Sequence, residues 1–267
     1  KFRGKFLIIV VSFKNKAPML NTIMQHRSIR QYKDTPVSQN DLNEILEAGT
    51  RASTTGNMQL YSIVVTQDEQ KKKELAPTHF NQPMVAQAPV HLTFCADINR
   101  FHKWCEQRNA EPGYDNFLWF INAAIDALLV SENVCLAAEE KGMGICYLGT
   151  VTYNADQFIR ILELPQGVVP VAAIVMGYPD EDPGLTNRLP LEGVVHYETY
   201  KDYSSDDIDR IYREKESLEE TRQLLEENDK ATLAQVFTDN RYKKEDNLHF
   251  SKQYLKVIQS QGFMNYV

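Results

Sequence analysis

FLWFINAAIDALLVSENVCLAAEEK, residues 117–141, decides how the rest of the chain folds. Its apolar residues Phe120, Ile121, Ala124, Leu128, Leu129, Val134, Leu136 and Ala138 recur at helical spacing but spread around more than one face, so the helix must be buried on several sides. That makes it a central core helix or one shared with a second subunit. Asp126, Glu132 and Glu139 interrupt the apolar run and argue against a membrane span. Gly142-Met143-Gly144 supplies the stop.

Upstream of that helix, Ser38 reads as an N-cap after Pro36, and Leu42, Ile45, Leu46 and Gly49 predict an amphipathic helix from Ser38 to about Thr50. The polar run Ser53–Asn57 ends it. Gln59–Thr66 and Val90–Ala96 read as strands, with a short exposed helix, Lys71–Leu75, between them. Downstream, Ile145–Leu148 is a strand or loop edge, and Asp156–Leu162 is a helix closed by Pro165. Val168–Met176 is apolar except for Pro170, which predicts a buried strand only from Val171 onward. Pro179–Pro190 is a loop. After Lys201 the chain turns charged, with helical stretches over about Asp206–Asp229 and over His249–Gln261. This tail is poor in core and is expected to pack over the body or over a partner subunit.

The 267 residues are 43% hydrophobic, enough for one large domain. We expect an appendage at residues 1–19, a main domain at 20–200 and a helical extension at 201–267. The apolar run Phe6–Phe13 is too short to span a bilayer, no small-x-small cleavage pattern follows it, and Met19 is an alternative start. Cys95, Cys105, Cys135 and Cys146 show no C-x-x-C spacing, so reduced thiols and a cytoplasmic location are expected. The histidines are scattered, and no metal site is expected.

A net charge of -7 and a pI near 5.5 exclude a large basic nucleic-acid face. The run His26-Arg27-Ser28-Ile29-Arg30 is therefore a local exception. Guanidinium forks give bidentate bonds to phosphate, and Ser and His add directional ones, so the run reads as a cradle for a small anion. Gly142-x-Gly144 is not a dinucleotide fingerprint, because a helix precedes it and Tyr147 holds the third glycine's place. No G-x-x-x-x-G-K-[ST], H-E-x-x-H or G-x-S-x-G occurs, which removes the usual support for P-loop, zincin and α/β-hydrolase chemistry.

HRSIRQYKD, RASTTGNMQ, NQPMVAQAPV, GMGICYLG and DPGLTNRLP follow one another in an order that resembles the FMN-dependent nitroreductase superfamily. They look closest to its oxygen-insensitive nitroreductase and NADPH-flavin oxidoreductase branch, over about Leu20–Tyr200. The resemblance implies an α+β, nitroreductase-like fold with a central, mainly antiparallel sheet flanked by helices. It also implies an intertwined homodimer with FMN at the subunit interface.

Carried over by position, His26, Arg27 and Ser28 hold the FMN phosphate and ribityl, and Arg30 lies near the pyrimidine side of the ring. Ser53, Thr54, Thr55 and Gln82 line the flavin. Tyr147, Leu148, Gly149 and Thr150 pass across it, with backbone amides near N5, and Arg188 completes the phosphate grip. Relatives often carry Lys where this chain has Thr186, so less positive charge supports the reduced ring here.

The implied activity is ping-pong hydride transfer through flavin N5 from NAD(P)H, NADPH favoured, to nitroaromatics or quinones. No acid, base or nucleophile of the chain is needed. Asn57 is expected near the substrate, and Arg241, with Lys243 and Lys244, near the NADPH 2′-phosphate. A flavin reductase supplying reduced FMN to a partner shares every motif, and a non-catalytic flavin carrier is the remaining alternative. Neither nucleic acid nor a membrane is an expected partner.

Overall fold

The computed structural model describes residues 18–265, so the expected appendage lies outside the described residues except for Pro18 and Met19. Those two open the first helix. The elements run α1 (Pro18–Met24), α2 (Gln39–Gly49), β1 (Tyr61–Thr66), α3 (Glu69–Leu75), α4 (Pro83–Gln87), β2 (Val90–Asp97), α5 (Asn99–Gln107), α6 (Phe117–Glu140), β3 (Gly144–Tyr147), α7 (Ala155–Ile161) and β4 (Val168–Gly177). The tail adds α8 (Ser205–Ser217), α9 (Glu219–Asn228), α10 (Leu233–Gln235) and α11 (Lys244–Ser260).

The four strands form one antiparallel sheet in the order β1-β2-β4-β3. Strand alternation sends Leu92, Phe94, Ile145, Ile174 and Met176 to one face, where they meet Leu42 and Ile45 of α2 and Ala127, Val130 and Val134 of α6. Cys146, Ala173 and Val175 point the other way, onto Val85 of α4 and Phe158 of α7. The result is a helix–sheet–helix sandwich in which β2 is buried along its whole length. Each large aliphatic or aromatic side chain so enclosed contributes roughly 1.5–3 kcal/mol.

Ser38 caps α2 by accepting from Asp41 N, and Asn116 caps α6 by accepting from Trp119 N. α6 is apolar all round, but only one side of it is covered. Phe120, Ala123, Ala127, Val130 and Val134 face the body, whereas Leu118, Ile121, Ile125, Leu128 and Leu129 form an exposed stripe. By length and composition α6 could cross a membrane, yet its covered side carries a buried aspartate, Asp126.

The structure corrects several expectations. β4 begins at Val168 and runs through Pro170, which pairs with Cys95. The next pair is Ala172 with Phe94, so Val171 is the extra residue of a bulge that absorbs the proline's missing N–H. α3 is not simply exposed, since it buries Leu75 and Lys72, the latter donating from Nζ to Ala88 O at 2.8 Å. The last helix starts at Lys244 rather than His249. Nor is the tail without core: Val257, Ile258 and Phe263 join Leu60 and Phe120 in one buried cluster.

Candidate functional site

The His26–Arg30 run is pinned to the sheet edge by its one buried residue. Ile29 N donates to Ile145 O at 2.8 Å, and Ser28 bridges Ile145 in parallel. Ile29 lies so close to Gly144 that a Cβ there would sit 2.5 Å from its Cγ1. The second glycine of GMG therefore serves close packing. The first, Gly142, closes α6 with φ 78 while Met143 N donates to Ala138 O.

With Ile29 inward, its neighbours turn outward onto acids that the sequence reading did not single out as their partners. His26 Nδ1 lies 2.7 Å from Glu139 Oε1. Burial holds the Glu139 carboxyl above the usual range, and His26 opposes that shift. Arg27 Nε is 2.9 Å from Asp182 Oδ1, close enough to pair as ions but off the hydrogen-bond line, so among the described residues this buried N–H has no hydrogen-bond acceptor. Glu181 accepts from the backbone N–H groups of Arg30 and Gln31. Pairing with β3 also brings Tyr147–Thr150 to this end of the sheet. Tyr147 Oη is 2.7 Å from Ser131 Oγ, and burial raises its pKa. Leu148 N donates to Ala173 O, a side chain at Gly149 would meet nothing within 4 Å, and Thr150 Oγ1 is 2.6 Å from His79 Nδ1.

The Ser53–Asn57 segment is built differently. Asp126, 1% exposed, accepts from Thr54 Oγ1, Thr55 N, Thr55 Oγ1 and Leu60 N, gathering the loop around one buried carboxylate. Gly56, Asn57 and Gln59 all have positive φ, and Asn57 Oδ1 accepts from Gln59 Nε2 at 2.9 Å. Beyond them a cavity of about 540 Å³ is lined by Met58, Arg100, Phe101 and Trp104. An aspartate within an otherwise apolar helix face was the available signal for this anchor.

Among the described residues no hydrogen bond or ion pair joins these two groups. Their anchors Asp126 and Glu139 lie about 20 Å apart along α6 at about 1.5 Å per residue, with Tyr147 reaching Ser131 between them and the exposed apolar stripe beside them. Gln82 precedes α4 without capping it. Thr186 and Arg188 are exposed, and among the described residues the Arg188 guanidinium bonds only the carbonyls of Thr186 and Asn187. Arg241 lies over the Phe237 ring at 5.9 Å in the C-terminal extension, and Lys243 and Lys244 are exposed beside it. A cavity of about 910 Å³ opens near Lys72 and Asp34 and is lined by none of the expected site residues.

A basic edge against an antiparallel sheet, backed by a long central helix, places the chain among α+β folds. The chain belongs to the nitroreductase family, whose pattern matches residues 23–178. It is 36% identical over 187 residues to an FMN reductase [NAD(P)H] of Bacillus subtilis, covering 68% of this chain and 74% of that protein. It is 33% identical over 189 residues to the NADPH-flavin oxidoreductase of Vibrio harveyi, covering 71% and 77%. Among solved structures, a candidate oxidoreductase from Bacteroides fragilis NCTC 9343 superposes with a TM-score of 0.91 at 53% identity, over 92% of this chain and all (100%) of that one. The Vibrio harveyi NADPH:FMN oxidoreductase complexed with NAD+ superposes with a TM-score of 0.79 at 28% identity, over 93% and 100%.

Proposed function

We propose that the chain is an FMN-dependent NAD(P)H oxidoreductase, with NADPH favoured, whose two half-sites are completed across a homodimer. The observation that carries this reading is their separation: one copy's His26–Arg30 and Tyr147–Thr150 would face the other copy's Ser53–Asn57 if two chains joined along the uncovered α6 stripe. A two-fold arrangement would build both sites at once.

FMN fits the residues present. The orphaned Arg27 N–H calls for an acceptor oxygen such as a phosphate supplies, and the open face at Gly149 admits a flat ring. His26, Arg27, Ser28 and Arg188 would hold the phosphate and ribityl, and Arg30 and Thr186 the pyrimidine edge. Ser53, Thr54, Thr55 and Gln82 would line the ring, while Asn57 and Arg241 would face the exchanging substrates. When bound, FMN supplies hydride acceptance and donation at N5. The chain's part is to bind, orient and exclude water, and protons come from solvent.

Nitroaromatics or quinones are the acceptors we propose, in ping-pong fashion. Because relatives are named FMN reductases, release of reduced FMN to a partner is the second reading. Four free, buried cysteines support a cytoplasmic location.

The purified protein should be yellow and be bleached by NADPH. Arg27→Ala with Arg188→Ala should weaken FMN retention at least about a hundredfold, two charge-assisted contacts being lost. Normal flavin content in that variant would reject the cradle. Relative rates with nitro compounds, quinones and free FMN separate the two readings.

A further inference from the structure

Two buried histidines stand behind Tyr147–Thr150 and have no part in the function proposed above. His79 ends the turn after α3, His91 lies on β2, and both are fully buried. Phe158 of α7 packs edge-on to His79 at 5.1 Å and stacks on His91 at 6.3 Å. The rings meet Nε2 to Nε2 at 3.0 Å, and His79 directs its Nδ1 to Thr150 Oγ1. Burial lowers His79 to about 4, and burial reinforced by His79 lowers His91 to about 3, so both rings are neutral near pH 7.

Two neutral imidazoles that share one Nε2–Nε2 contact have one proton between them, so their tautomers are opposite and linked. If His91 donates, His79 carries its proton on Nδ1 and donates to Thr150, whose own hydroxyl proton then turns out of the core. If His79 donates, the Thr150 proton turns inward and His91 must keep a proton on Nδ1. That nitrogen is buried without a partner among the described residues; its own carbonyl lies near but outside hydrogen-bond geometry. An orphaned buried donor is rarer in folded proteins than an under-used acceptor, which favours the first arrangement.

We propose that His91 and His79 are positioning residues that set the hydrogen-bonding sense of Thr150, presenting its hydroxyl as an outward donor to the bound flavin. This rests on the flavin reading given above. No proton is transferred; the buried pair fixes only a direction. A donor aimed at the electron-accepting side of the ring favours its reduced form. The pair thereby tunes the cofactor without touching it.

Histidine-selective ¹⁵N labelling of the full protein, with long-range ¹H–¹⁵N correlation, reads both tautomers directly. The expected result is His91 protonated on Nε2 and His79 on Nδ1, between about pH 6 and 8. The reverse assignment overturns the proposal whether or not flavin binds, whereas failure of the flavin reading appears separately, as a protein that retains no FMN. In the FMN-loaded protein, Thr150→Val should lower the ratio of reduced to oxidised flavin at a fixed electrode potential about fivefold, the worth of one hydrogen bond. Thr150→Ser should keep the original ratio. His79→Phe, which releases the Thr150 hydroxyl from the buried pair, should shift the ratio in the same direction. An unchanged ratio in Thr150→Val, which is half-buried and spares the core, overturns the proposal even if His79→Phe fails to fold.

Discussion

The two halves of α6 hold their loops by opposite means. In the C-terminal half, His26 lies 2.7 Å from Glu139, and Arg27 forms an ion pair with Asp182, which is 74% exposed. In the N-terminal half, one buried carboxylate gathers two hydroxyls and two backbone N–H groups. Exposed ion pairs are worth about 0–1 kcal/mol and exchange partners readily. A fully bonded buried carboxylate does not, because withdrawing it strands every donor at once. The basic edge is therefore suited to trading an acid for an anionic ligand, and the Ser53–Gln59 loop is suited to being a wall.

The largest effect should come from breaking the wall. Asp126→Leu leaves Thr55 N, Leu60 N and two hydroxyls without an acceptor and should lower stability by about 3–5 kcal/mol in urea unfolding. A loss under about 1 kcal/mol would mean that the loop is held by something else. Next comes the surface that would unite the two halves. Leu128 is 47% exposed within the chain, so Leu128→Glu should hardly alter a monomer's unfolding. It should weaken self-association at least about a hundredfold in sedimentation, a charge having replaced a buried contact. A monomeric wild-type protein that retains FMN would sink the shared site.

The basic edge should respond more gently. Asp182→Asn frees the Arg27 guanidinium and should tighten FMN binding by about two- to fivefold, the range of an exposed ion pair. Weaker binding would make Asp182 a support rather than a competitor.

The smallest effect is one of pH. Glu139 stands above its ordinary 4.5 because it is buried, so the folded chain holds that proton where the unfolded chain has already lost it. Its contribution is fully present below 4.5 and is lost as the pH rises through the higher folded value. Urea midpoints compared at about pH 7 and about pH 5 should show this gain on acidification in the wild type, and Glu139→Gln should flatten it.

Much of this comparison was legible along the chain. Periodicity marked α2, α6 and the strands, since a 3.6- or 2-residue repeat is a local property. The order of HRSIR, RASTTGNMQ and GMGICYLG pointed to the family. α4 and α5 escaped, the first being five residues long, too short for its period to register, and the second opening without a side-chain cap. Pro170 was misjudged because a bulge belongs to two paired strands, not to one. His79 left no signal at all, since its partners His91 and Thr150 are remote in sequence.

The amino-acid order by itself determined which residues are equipped to hold an anion and which helix lies at the centre of the fold. Only the tertiary structure decided that Glu139, Glu181 and Asp182 attend the arginines, that Asp126 closes the opposite loop, and that the two groups stand apart. The reason is geometric: ion pairing and burial depend on segments that meet only after the sheet is assembled. A helix with a fixed rise per residue keeps Asp126 and Glu139 separated however the rest of the chain packs.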